Sequence, residues 1–184
     1  MPAGVRSRDD KPTAIAWSPA GTTQACAATS HVESVERFID APPAAIFAVI
    51  ADPARHHEID GSGTVQGVAA EATASATPLT LGSTFSMKMK MGAPYTMVNT
   101  VVEYEPDALI AWQPRPASKA LGAVVGGRIW RYELTPQDGG GTMVRESWDI
   151  RQEKLPKFML KPLHNSTCEA MEKTLDRLAQ AVEQ

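Results

Sequence analysis

Glu146 is the residue of this sequence whose setting best suits acid–base chemistry. It lies in an alternating segment, Thr142 to Arg151, where it shares a face with Val144 and Trp148. A carboxyl group among aromatic side chains has a raised pKa, so it could move a proton or hydrogen-bond a ligand hydroxyl. Arg128 has the same strand parity as Trp130 and Tyr132, and it could be the ion-pair partner of Glu146. We favour a structural Glu–Arg pair, or a local twist that exposes both residues, slightly over a catalytic role.

Three histidines are the next candidates. His56 and His57 are adjacent, with acidic residues close by, but their spacing does not match His-Glu-x-x-His and neighbouring histidines diverge on a helix. We therefore predict a turn that carries polar residues and no metal site. His164 lies on the inner stripe of the C-terminal helix, where a satisfied core histidine is the default. An acid or base acting with Tyr132 or Tyr95 is the alternative.

Other chemistries have no matching motif. We find no nucleophile triad, phosphate-cradling glycine loop or dinucleotide fingerprint, and Gly139-Gly-Gly141 is typical of a hairpin. The formal net charge of −3 and the pI of about 5.8 give no overall electrostatic case for nucleic acid or an anionic membrane. No apolar run approaches the roughly 18 residues of a membrane span. We expect no cofactor, no nucleic-acid partner and no stable membrane insertion.

The first 30 residues lack apolar periodicity and contain no hydrophobic run of a signal peptide. We predict a disordered leader, or a mis-called start codon, at 1–30, followed by one domain over 31–184. Only two cysteines occur, Cys26 in the leader and Cys168 in the C-terminal helix. We expect both thiols to be reduced and unpaired in a cytoplasmic protein, and the protein to be a monomer or weak homodimer.

The pattern around these residues predicts the elements that position them. Ser30 to Ile39 alternates as a strand, and Asp40 can cap a helix that tolerates Pro42 and Pro43 in its first turn and ends at Asp52-Pro53. A second helical turn follows over Pro53 to Glu58. Then come alternating segments joined by short turns, which favour an antiparallel meander with no further helix before the C-terminus. Those strands are predicted at 64–69, 84–91, 95–104, 108–113, 126–135 and 142–151.

The C-terminal helix is predicted from about Lys157 to Val182. Its apolar stripe has a four–three rhythm, formed by His164, Cys168, Met171, Leu175, Leu178 and Val182. One interrupted helix in front, strands in the middle and one long helix at the end suggest a sheet that grips a helix.

This order of elements resembles that of the START-like (SRPBCC) superfamily. Two segments also carry the resemblance: Ile-Asp-Ala-Pro-Pro-Ala-Ala-Ile-Phe-Ala-Val-Ile-Ala-Asp-Pro at 39–53 and Gly-Thr-Met-Val-Arg-Glu-Ser-Trp-Asp at 141–149. The bacterial polyketide cyclase/dehydratase and lipid-transport branch is the most similar. The resemblance covers about 31–184 and implies an α+β helix-grip fold. In that fold a curved antiparallel sheet wraps around a long C-terminal helix, with short helices after the first strand.

The resemblance also implies a pocket between the sheet and the C-terminal helix, which would bind a hydrophobic small molecule of lipid, polyketide or isoprenoid type. An enzyme of the cyclase or dehydratase type is the second hypothesis, with Glu146, His164 or a tyrosine as acid or base. A co-chaperone-like interaction module is the third. For any single methionine, core filling is the alternative to ligand contact. The expected ligand-binding residues are Phe85, Met87, Met89, Met97, Trp112, Arg128, Trp130, Tyr132, Trp148, Cys168 and Met171, with His56 and His57 at the rim.

Overall fold

The structure is a computed structural model that describes residues 23–29, 31–69 and 78–183. Eight strands form a single antiparallel sheet in the order β1-β2-β8-β7-β6-β5-β4-β3. The strands are β1 (Thr23–Thr29), β2 (Val32–Ile39), β3 (Val65–Val68), β4 (Thr84–Met91), β5 (Ala93–Glu105), β6 (Leu109–Pro116), β7 (Ile129–Pro136) and β8 (Thr142–Asp149).

The helices lie between β2 and β3, between β6 and β7, and at the C-terminal end. They are α1 (Pro43–Ile50), α2 (His56–Ile59), α3 (Lys119–Val124) and α4 (His164–Val182), with short 3-10 turns at Pro53–Arg55, Lys157–Met159 and Lys161–Leu163. Because β2 and β3 lie far apart in the sheet, the segment from α1 to α2 crosses its face, and both helices contact α4. This is the helix-grip α+β fold that the sequence predicts.

The core lies between α4 and one face of the sheet, which we call the inner face. Met171, Leu175 and Leu178 of α4 are at most 1% exposed, and they belong to one core with the inner side chains of the strands. The predicted stripe is confirmed at these positions, whereas His164, Cys168 and Val182 at its two ends are half-buried. Burial of this stripe therefore places the helix on the sheet.

Three predictions about the helices are wrong. The C-terminal helix begins at His164 because Pro162 lies in a separate 3-10 turn, where its missing N–H costs no helical hydrogen bond. Asp40 is not the cap of α1, since Pro42 occupies the N-cap position and its first turn has no side-chain cap. Helix α3 interrupts the segment in which we expected only strands and loops.

The N-terminal segment also differs from the prediction. Residues 23–29 of the expected disordered leader form the edge strand β1, which pairs with β2, while 1–22 lie outside the described residues. Cys26 of β1 and Cys168 of α4 form a disulfide with a Cα–Cα distance of 5.7 Å, so the expectation of two unpaired thiols is wrong. Because the two cysteines are 142 residues apart in sequence, the local sequence pattern does not indicate that they pair.

Gly61 sets how closely the loop after α2 approaches α4. A Cβ at this position would lie 2.6 Å from the backbone N of Thr174 and would also collide with the carbonyl oxygen of Ala170. The Gly61 N–H donates to Thr174 Oγ1 at 3.0 Å, so displacement of the loop would break this bond as well.

We expect Gly61→Ala to lower the free energy of unfolding by about 2–3 kcal/mol, because it overpacks this contact and weakens the hydrogen bond. Urea denaturation measures the change. Gly122→Ala in α3 is the matched control: its Cβ would meet only Pro116 O at 3.6 Å, and alanine favours a helix. The control should be neutral or stabilising by roughly 0.5–1 kcal/mol. Equal effects of the two substitutions would contradict the close approach at Gly61.

Candidate functional site

Glu146 and Tyr132 face each other across β8 and β7 on the inner face. The hairpin register pairs their Cα positions, and the Tyr132 hydroxyl donates to Glu146 Oε1 at 2.8 Å. Both residues are buried, at 3% and 4% exposure. The inward parity predicted for Glu146, Val144 and Trp148 is confirmed, since all three are buried.

Burial makes Glu146 a neutral acid near neutral pH. Removal of the carboxyl from water raises its pKa to about 8, against the lowering effect of the Tyr132 hydrogen bond and with a smaller contribution from the charge of Asp60. The pKa of Tyr132 is raised well above its ordinary value, first by burial and then by Glu146. Because Tyr132 donates to Oε1, the proton of the neutral carboxyl lies on Oε2.

Two hydrogen-bond donors on the inner face of β8 therefore remain unused. Among the residues that the structure describes, neither Glu146 Oε2 nor Trp148 Nε1 has a hydrogen-bond partner, although both atoms are buried. The indole N–H can only donate, and the protonated Oε2 donates as well. A buried donor without an acceptor is costly, so these two atoms can hydrogen-bond an acceptor oxygen between the sheet and α4.

An aromatic cluster lies beside the two unused donors. It is formed by His56, Phe85, Trp112 and Tyr132. The His56 ring stacks on Trp112 at a centroid distance of 5.1 Å, and Trp112 lies 5.4 Å from Tyr132. Phe85 meets Trp112 edge-on at 5.7 Å. The cluster makes one wall of the site apolar and rigid.

His56 belongs to this wall. It is 7% exposed, its Nε2–H donates to the Ile50 carbonyl at 2.8 Å, and burial lowers its pKa, so the ring is neutral. His57 points the other way: it is exposed and its Nδ1–H donates to the Ala54 carbonyl. The two rings diverge, as expected for neighbours on a helical turn, and only His57 has the exposure expected of a rim residue.

The remaining expected lining residues lie at different depths. Met87 and Met171 are buried in the same core, Met89 and Met97 are half-buried, and the half-buried ring of Trp130 lies 6.3 Å from that of Trp148. A separate open cleft of about 310 Å³ lies at the β3–β4–β5 edge of the sheet. Its lining is Gln66, Lys88, Met89, Lys90, Pro94, Tyr95 and Thr96.

The predicted Arg128–Glu146 ion pair is wrong. Arg128 Nε donates to Glu153 Oε2 at 2.7 Å, and Glu153 also accepts from the Gly126 N–H. Arg128 precedes β7, and the two glycines before it have φ of 132° and 118°. Arg128 therefore lies just outside the regular strand, where Glu153 from the segment after β8 binds its guanidinium.

His164 and Cys168 lie at the margin of the core beside Glu33, which the sequence analysis missed. Glu33 is 2% exposed, and its Oε1 contacts His164 Nδ1 in an ion-pair arrangement. Cys168 Sγ lies 3.6 Å from Glu33 Oε2. The signal was present, since Glu33 has the parity of Val35 and Ile39, which are core residues of the same strand.

We expect Glu146→Gln to remove a pH dependence of stability. The folded state keeps the Glu146 proton up to about pH 8, whereas the unfolded chain loses it near pH 4.5. Between these values the unfolded state binds fewer protons, so stability falls as pH rises, by at most about 1.4 kcal/mol per pH unit from this group. Glutamine keeps the acceptor for Tyr132 and a donor in place of Oε2–H but does not titrate.

Urea unfolding of both proteins from pH 4.5 to 9 tests this. The stability of the variant relative to the parent should rise with pH up to about 8 and then level off, because the other titrating groups cancel in the difference. Glu105→Gln, at an exposed strand end, controls for the loss of one acidic side chain. A difference between variant and parent that is constant over this range would contradict a buried, neutral Glu146.

Comparison with known proteins finds relatives of this chain in sequence and in fold. The family model "Polyketide cyclase / dehydrase and lipid transport" matches residues 30–183. The uncharacterized protein Rv0088 of Mycobacterium tuberculosis is 38% identical over 127 residues, or 67% of this chain and 49% of that protein. The chain thus spans about half the length of the curated relatives it matches.

Solved structures share the fold at low sequence identity. Protein Ms6760 from Mycobacterium smegmatis has a TM-score of 0.65 at 13% identity, covering 88% of this chain and 98% of that one. The di-domain ARO/CYC StfQ from the steffimycin biosynthetic pathway has a TM-score of 0.57 at 14% identity, covering 83% and 50%. Within the described residues, no helix combines the length and apolar character needed to cross a membrane.

The family match extends over nearly all of the described chain and supports a ligand-binding or cyclase-type function. The antiparallel sheet, the C-terminal helix and the buried groups between them agree with it. The chain belongs to the polyketide cyclase/dehydrase and lipid transport family.

Proposed function

We propose that this protein binds a hydrophobic or aromatic small molecule, of lipid, polyketide or isoprenoid type, between the inner face of the sheet and α4. The observation that carries the proposal is the pair of unused buried donors, Glu146 Oε2–H and Trp148 Nε1–H. These two donors favour a ligand with a carbonyl, ether or ester oxygen. The ligand-binding domain is the one predicted over 31–184, extended here by β1.

Apolar contact supplies most of the affinity in this proposal, at roughly 25 cal/mol per Å² of buried apolar surface. The surrounding side chains already pack against one another, so the ligand must displace some of them. Met87 and Met171 suit this role because methionine is unbranched, flexible and polarizable. The rigid aromatic cluster then forms the opposite wall, and the two donors fix the orientation of the ligand.

A cyclase or dehydratase activity is the second candidate, and the pKa of Glu146 favours it. A carboxyl with a pKa of about 8 is protonated near neutral pH, so it can donate a proton to a ligand carbonyl or a leaving hydroxyl. Tyr132 would hold this carboxyl in place through its hydrogen bond. The ARO/CYC name of StfQ, which shares the fold, also supports this candidate.

Binding of two matched probes tests the proposal. Prodan, a neutral naphthalene ketone, carries an acceptor oxygen, and 2-ethylnaphthalene is an apolar analogue without one. We expect the purified protein to bind Prodan with a blue-shifted emission, and to bind it more tightly than the hydrocarbon, because only the ketone uses the two donors. Trp148→Phe should weaken Prodan binding about 3–10-fold, the value of one hydrogen bond, and leave hydrocarbon binding unchanged.

Glu146→Gln is the matched control, because its amide keeps a donor in place of Oε2–H. It should retain Prodan binding, whereas Glu146→Leu should weaken it. Failure of both probes to bind, together with no apolar compound in an organic extract of the protein, would contradict the proposed function. Equal loss of both probes in Trp148→Phe would show that the indole acts by shape alone and would contradict the proposed donor pair.

A further inference from the structure

Four metal-ligating side chains from three elements meet at the margin of the core. Cys26 lies on β1, Glu33 on β2, and His164 and Cys168 on α4. The ligand atoms of Cys26, Glu33 and Cys168 lie within 4.8 Å of one another, and His164 Nδ1 contacts the Glu33 carboxylate. We call these four residues the Cys–Glu–His cluster.

This donor set suits zinc. Zn²⁺ takes four tetrahedral ligands from thiolate, imidazole and carboxylate groups, and two thiolates select it over Mg²⁺ or Ca²⁺. His164 and Cys168 are four residues apart on α4, so they lie one above the other on one helix face. The buried carboxylate of Glu33 is already oriented towards both of them.

The cluster stays assembled without its disulfide, because other contacts hold β1 in place. β1 pairs with β2 on both sides of Cys26, and Arg37 of β2 binds both Thr23 Oγ1, at 2.9 Å, and the carboxylate of Asp176 on α4. Thr23 Oγ1 also donates to Asp176 at 3.2 Å. Reduction of the cysteines therefore leaves Cys26 opposite Cys168.

The cluster is also accessible. Both cysteines are half-buried, and the side chain of His164 is 35% exposed, so a reductant and a metal ion can approach from this side. The Trp148 ring packs edge-on against His164 at 6.2 Å, and both cysteines pack against the core on their other side.

We propose that the reduced protein binds one Zn²⁺ at the Cys–Glu–His cluster, and that the Cys26–Cys168 disulfide is the alternative state that excludes the metal. A dithiol reductant transfers two electrons and two protons to the disulfide and becomes a disulfide itself. Zn²⁺ then displaces the protons of both thiols, and its bonds to the thiolates, Glu33 and His164 replace the direct Glu33–His164 contact. This site is independent of the proposed small-molecule function.

Cobalt(II) and zinc(II) titration of the full chain tests the proposal. The protein is reduced, freed of reductant under anaerobic conditions, and compared with a sample oxidised by diamide. We expect the reduced protein to take up one Co²⁺ per chain, with a thiolate-to-cobalt band and the visible d–d bands of a tetrahedral ion, and Zn²⁺ to displace it. The oxidised protein should show neither band.

Variants separate this site from adventitious thiol binding. His164→Ala and Glu33→Gln keep both cysteines and should weaken Co²⁺ binding at least about 10-fold while retaining the thiolate band. His57→Ala and Glu105→Gln, which remove a histidine and a carboxylate elsewhere, should bind like the parent. Cys168→Ser should lose part of the intensity of the thiolate-to-cobalt band. Circular dichroism checks that each variant is folded.

Two results would overturn the proposal. One is a reduced, folded protein with two titratable thiols that takes up no stoichiometric Co²⁺ or Zn²⁺. The other is unchanged affinity in both His164→Ala and Glu33→Gln, which would leave a two-thiolate contact and no built site. A rise in melting temperature on Zn²⁺ addition that occurs only in the reduced parent protein would support the site independently of the spectra.

Discussion

Burial of the apolar stripe of α4 against the inner face of the sheet is the constraint on which the rest of the structure depends. Met171, Leu175 and Leu178 exclude water from that face, so every polar group there must be paired, neutral or at the margin. The inner face nevertheless carries two carboxyl groups, Glu33 on β2 and Glu146 on β8. Both are almost completely buried, so their chemistry follows from the groups beside them.

Sequence alternation predicted much of this arrangement because burial on one side fixes the period of a strand. β4 has the bounds expected from its Met–Lys alternation, and the inward parity of Glu146 and Trp148 is confirmed. The hairpin after β7 also makes the Tyr132–Glu146 pair readable from register, although the sequence analysis did not combine the two residues. The family resemblance supplied the placement of the long helix, which local pattern alone does not give.

The errors occurred where geometry is set by backbone or by distant contacts. Arg128 follows two glycines with positive φ outside β7 and pairs with Glu153, a residue 25 positions further along the chain. The packing of His56 on Trp112 depends on the turn between α1 and α2, and amino-acid composition does not specify the direction of that turn. Cys26 meets Cys168 only because an edge strand, formed by residues that resemble a disordered leader, reaches the first turns of α4.

The two carboxyl groups satisfy the same constraint in different ways. Glu146 lies deep in the core, where desolvation keeps its proton and makes it a donor. Glu33 is equally buried but contacts the half-buried imidazole of His164. Trp148 lies between them, opposite Glu33 across the strands, with its ring against His164 and its N–H unused. A substitution at Trp148 would therefore affect both the donor pair and the Cys–Glu–His cluster. A substitution at Glu146 would affect only the donor pair, and one at His164 only the cluster.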